Sequence, residues 1–105
     1  MLTSAEVGTT GEKHATAELR AKGWTCYRNT QLPGATDIEA TGGTPALLVQ
    51  VKTAVYPNLP ADLSAEEKTA IVSRANRNGK DAWLAQLQIN REGALVGSIS
   101  WTKLT

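Results

Sequence analysis

The apolar positions of this chain fall into two stretches of helical spacing and five strand-like runs. Residues 4–22 set Val7, Gly11, Ala15 and Leu19 on one narrow face of small residues, which predicts a first helix capped by Ser4 and closed by Gly23. Gly8 and Gly11 each weaken such a helix by about 1 kcal/mol relative to alanine. They imply the close approach of another backbone or a ligand, or else a helix start nearer Thr9 or Thr10. "WTCYRNT" (24–30) is β-branched and aromatic and reads as a strand. After the turn "QLPG", strands follow at 35–41 and 46–53, separated by "GGTP". Ser64, with Glu67 three residues on, signals a capping box. The helix it opens runs to about Asn78, stops at Gly79 and buries Ile71, Val72 and Ala75. "AWLAQLQI" (82–89) and "ALVGSISW" (94–101) make a hairpin through "NREG". The predicted order is α-β-β-β-α-β-β, an α/β chain. Its one long irregular piece, "AVYPNLPADL" (54–63), is of the kind that often carries function.

A chain of 105 residues suits a single domain spanning 1–105, with a core thin enough that every buried polar group is costly. Homodimerisation is a natural supplement to such a core. Eleven Lys and Arg against ten Asp and Glu leave a net charge of +1, less basic than the usual nucleic-acid binder, so local distribution has to carry any such role. The single Cys26 excludes an internal disulfide and a cysteine-based zinc site, and points to a reduced, cytoplasmic setting. No apolar run reaches the length of a membrane span, and the start lacks a basic-then-apolar secretory pattern.

Three polar residues stand out in "TDIEATGGTPALLVQVKT" (36–53): Asp37, Gln50 and Lys52. If 42–45 form a four-residue hairpin loop, 41 pairs with 46 and Asp37 lies directly opposite Gln50. Lys52, two residues on, projects from the same face, while Ile38, Ala40, Leu47, Val49 and Val51 take the other. A carboxylate, an amide carbonyl and an ammonium on one patch suit a hard divalent cation and a phosphodiester. Asp37 and Gln50 would offer oxygens, as would the Val51 backbone carbonyl, with Lys52 orienting water or neutralising charge on a phosphoryl oxygen. The same spacing also fits a solvated strand face, on which an exposed Asp37–Lys52 pair is worth under about 1 kcal/mol. Glu39 shares the face of Asp37, about 7 Å along the strand.

The wider stretch, "TGEKHATAELRAKGWTCYRNTQLPGATDIEATGGTPALLVQVKTA" (10–54), resembles the opening half of PD-(D/E)XK nucleases, the restriction-endonuclease-like superfamily. The shared pattern is an acidic residue on a helix, a glycine, a strand, an Asp, then an acidic residue or Gln two before a Lys. Here those positions are Glu12, Gly23, Asp37, Gln50 and Lys52. "IVSRANRNGKDAWLAQLQI" (71–89) is similar to the helix and strand that follow the site in archaeal Holliday junction resolvases. The resemblance implies a central mixed five-stranded sheet flanked by helices, Mg2+- or Mn2+-dependent hydrolysis of DNA, including branched or junction DNA, and a homodimer. It makes Asp37 the central metal ligand, Lys52 the catalytic lysine and Glu12 the helix carboxylate. Gln50 stands where most members have a second acidic ligand, as in the Mrr-like branch. An amide binds a dication less strongly than a carboxylate, so a non-catalytic DNA-binding or assembly module with the same fold is the alternative, and a subunit that needs a partner protein is a third.

Arg74, Arg77 and Lys80 gather at the end of the second helix, where they complement its dipole; with Lys13, Lys22 and Arg28 they would also make a basic rim for DNA phosphates. His14 and Glu18 have helical i,i+4 spacing and read as an exposed pair rather than a zinc site. Cys26 reads as a small core residue, and Tyr56 and Trp83 as packing aromatics able to stack bases. Nothing resembles a phosphate-binding Walker loop, a dinucleotide fingerprint or a GxSxG elbow.

Overall fold

Thr3, not Ser4, opens the first helix: its hydroxyl accepts from the Glu6 N–H at 3.1 Å while the Glu6 carboxylate accepts from the Thr3 N–H at 3.0 Å. A reciprocal box needs an acidic or amide side chain three residues past the cap, and Thr3–Glu6 has one where Ser4–Val7 does not. The computed structural model describes residues 2–29 and 37–105, with Asn29 and Asp37 described by their backbone alone. The predicted "QLPG" turn and the first two positions of the predicted second strand lie outside the described residues.

Helix α1 spans Ser4–Ala21, so neither glycine delays its start. It stops where Gly23 takes φ 97°, which lets the Gly23 and Trp24 N–H groups reach back to the Arg20 and Leu19 carbonyls. Strand β1 is Thr25–Asn29, β2 is Asp37–Thr41 and β3 is Leu47–Val55. Helix α2, Ala65–Arg77, is capped by Ser64 and Glu67 as the spacing predicts, and β4 (Asp81–Ile89) and β5 (Leu95–Lys103) follow. The five strands lie in chain order in one mixed sheet: β3 and β4 are parallel, every other neighbour pair antiparallel. Strand β3 runs two residues past its predicted end because its parallel ladder with β4 continues to Val55 opposite Ile89.

The sheet is covered on both faces. Ala15 and Leu19 of α1 pack on Ile38, Ala40, Val49, Ala85, Leu87 and Ile89. On the other face, Ile71 and Ala75 of α2 pack on Leu48 and Ala82, with Val72 partly buried beside them. Central β3 and β4 thus bury consecutive residues on opposite faces, as a parallel pair between two helices requires. Before α2, the long connection is pinned to β4 by glutamines: Gln86 donates to the Ala61 carbonyl at 2.9 Å and Gln88 to the Asn58 carbonyl at 2.7 Å.

The His14–Glu18 pair is not a solvent-facing pair. His14 Nε2 lies 2.7 Å from the Gly93 carbonyl, and the Glu18 carboxylate accepts from Trp101 Nε1, so both tie α1 to the β4–β5 hairpin. Cys26 is buried, and burial raises its thiol pKa. No helix among the described residues is long and apolar enough to cross a membrane.

Candidate active site

Asp37 pairs with Gln50 in the β2–β3 ladder, the register that a four-residue hairpin loop predicts. Strand β2 begins at that pair, whereas β3 continues to Val55, so beyond Gln50 the β2 side of β3 has no ladder partner among the described residues. A cavity of about 490 Å³ lies there. Ser4, Gly8 and Glu12 of α1, Arg28 of β1, and Gln50, Val51 and Lys52 of β3 all line it.

Glu12 reaches this cavity because it lies on the buried stripe of α1, one turn before Ala15 and two before Leu19. It is only 7% exposed, and a carboxylate so placed needs a partner. Arg28 Nη2 supplies one at 2.8 Å. Gln50 is 9% exposed, and its side-chain amide has no hydrogen-bond partner among the described residues. Gly8 adds room: a Cβ there would meet nothing within 4 Å.

Lys52 Nζ does not turn to Glu12. It donates to Glu67 Oε2 at 2.7 Å, from the first turn of α2. The sequence shows Glu67 only as a capping residue; its second role depends on where α2 lands. The Lys52 ammonium, and next the Ser64 N–H, hold the Glu67 carboxyl below its ordinary 4.5.

The structure therefore brings Glu12, Gln50, Val51 and Lys52 together, with the Asp37 backbone alongside Gln50. It adds Arg28 to the site as the partner of Glu12, where the sequence suggests only a basic rim. Arg74 and Arg77 lie in the last turn of α2, about 10 and 15 Å of helix from Glu67, and Lys80 follows just beyond the helix. There Lys80 lies 3.9 Å from Glu39, Arg77 is exposed and Arg74 is half-buried. Lys13 is exposed on α1 beside Glu12. Among the described residues no three His, Cys, Asp or Glu side chains form a metal-holding group. A second cavity, of about 420 Å³, lies between Trp24, Trp83 and Trp101, and the one carboxylate on its wall, Asp81, is 3.6 Å from Lys103.

A mixed five-stranded sheet between two helices, with a helix carboxylate and a Gln-x-Lys strand beside one cavity where β2 begins, is a restriction-endonuclease-like fold of the PD-(D/E)XK nuclease type. The chain is similar to one solved nuclease in particular: Hjc, a Holliday junction resolvase from the archaeal hyperthermophile Archaeoglobus fulgidus. The two align with a TM-score of 0.70 and 26% identity, over 92% of this chain and 72% of that one. No protein-family model matches the chain, and no curated protein does either.

Proposed function

We propose that this protein is a divalent-metal-dependent DNA endonuclease acting on junction DNA, as a homodimer. The observation that carries the reading is the convergence of Glu12, Gln50 and Lys52 on one cavity, on the fold of a Holliday junction resolvase. The donors fit a hard dication. They are all oxygens, and Glu12, Gln50 and Val51 line the same cavity as Gly8, where an added Cβ would meet nothing within 4 Å. Glu12, Gln50, the Val51 carbonyl and Asp37, the residue opposite Gln50, would hold Mg2+ or Mn2+. When bound, such an ion acidifies the attacking water and offsets charge on the phosphoryl oxygens.

The chain's own groups do the rest. Lys52 donates a hydrogen bond to a non-bridging oxygen of the scissile phosphate as its charge grows. Arg28 balances the charge of the Glu12 carboxylate in its buried position. Arg74, Arg77, Lys80 and Lys13 hold flanking DNA phosphates, positioning the duplex without reading its sequence.

A non-catalytic DNA-binding module is the second reading, favoured by Gln50 in place of a carboxylate. One experiment separates the two: incubation with supercoiled, linear and four-way-junction DNA, with Mn2+, Mg2+ or a chelator. Cleavage of the junction that the chelator abolishes is the expected result. Binding without cleavage supports the module, and neither binding nor cleavage removes both readings. Sedimentation equilibrium tests the dimer.

A further inference from the structure

We infer that Glu67 is a positioning residue that holds the Lys52 ammonium in the catalytic site. The inference rests on the nuclease reading for its catalytic half, but the contact itself stands on geometry. A capping-box glutamate ordinarily serves only its own helix. Glu6 does so on α1, taking the Thr3 N–H and no cation among the described residues. Glu67 has the same local geometry on α2: Oε1 accepts from the Ser64 N–H at 3.1 Å. Its other oxygen, Oε2, takes Lys52 Nζ at 2.7 Å, a partner 15 residues earlier on β3. The carboxylate is thus fixed by the cap before it meets the lysine.

That arrangement answers two problems at this site. A lysine on a flexible stem is a poor donor unless something fixes it. With Gln50 where a carboxylate is common, β3 itself supplies no nearby anion. Glu12 cannot serve, because Arg28 holds it at 2.8 Å and because its pairing with Lys52 would pull the ammonium to the α1 side of the cavity. Among the described residues Arg28 pairs with Glu12 and Lys52 with Glu67, so Lys52 is anchored to the start of α2.

The test compares Glu67→Gln, Glu67→Asp and, as control, Glu6→Gln. Glutamine keeps an oxygen for the Ser64 N–H and loses the charge that holds the lysine. Two quantities are read: the 13C order parameter of Lys52 Cε in protein free of metal and DNA, and the single-turnover rate of junction cleavage alongside DNA affinity. Glu67→Gln is expected to drop the order parameter to that of exposed Lys68 and the rate by about 10²-fold with DNA affinity unchanged. Glu67→Asp should fall between, and Glu6→Gln should change neither. A wild-type order parameter in Glu67→Gln overturns the anchoring, and a lowered order parameter with a wild-type rate overturns its use in catalysis. Should the wild-type protein cleave no DNA, the nuclease reading falls, and the order parameter alone decides whether Glu67 anchors Lys52.

Discussion

Gly11 lies so close to Thr53 that a Cβ on the glycine would sit 1.7 Å from Thr53 Oγ1. This is where α1 presses onto β3, and the next helical residue, Glu12, is thereby carried to the cavity that Gln50, Val51 and Lys52 line. A methyl there must push helix and strand apart, and overpacking of this kind costs about 1–3 kcal/mol, more than the roughly 1 kcal/mol of helix propensity that alanine restores.

Gly11→Ala is therefore expected to lower unfolding free energy by up to about 2 kcal/mol in urea titrations and to slow cleavage. Thr53→Ala in the same chain should recover much of the loss, giving a coupling of about 1 kcal/mol in a double-mutant cycle. Gly8→Ala is the contrast. Nothing stands within 4 Å of its added Cβ, so the helix should gain up to about 1 kcal/mol while the methyl intrudes on the site.

Gln50→Glu puts a second carboxylate beside Glu12 at a position only 9% exposed. In chelator the variant should be less stable than wild type by about 1–3 kcal/mol. Adding Mn2+ should stabilise it by more than it stabilises wild type, about 2.7 kcal/mol at a hundredfold excess over Kd. Thermal melts with and without Mn2+ check this, and an equal response of the two proteins would place the ion away from Gln50.

Lys52→Ala should reduce single-turnover cleavage by about 10²- to 10³-fold. Its ion pair with Glu67 is partly exposed, so the melting curve should shift little, corresponding to about 1 kcal/mol or less. A near wild-type rate would take Lys52 out of the mechanism.

Stability should also depend on pH through Glu67. The folded carboxyl is held below its ordinary 4.5, so the native state binds a proton less readily than the unfolded chain. Its contribution is complete above 4.5 and is lost as pH falls through the lowered folded value. Urea titrations from about pH 7 down to about pH 3 should show wild type and Glu67→Gln converging at the acid end.

Much of the fold was legible locally. The Ser64–Glu67 box placed α2, the "NREG" turn placed the last hairpin, and four residues between two alternating runs set Asp37 against Gln50. The cap of α1 lies one residue before Ser4 because Thr3, not Ser4, has a glutamate three residues on. These features depend on groups a few residues apart, and such distances are already set by the chain's covalent geometry.

The partners of the polar side chains were a different matter. Glu12 finds Arg28 across 16 residues, Lys52 finds Glu67 across 15, and His14 meets Gly93 across 79. Sequence alone determined that a helix carboxylate, a glutamine and a lysine were present and that the last two shared a strand face. Only the packing of α1 at Gly11 and the landing of α2 beside β3 decided which cation neutralises which carboxylate. An ion pair is chosen by separation in space and by burial, and neither exists until the helices are seated on the sheet.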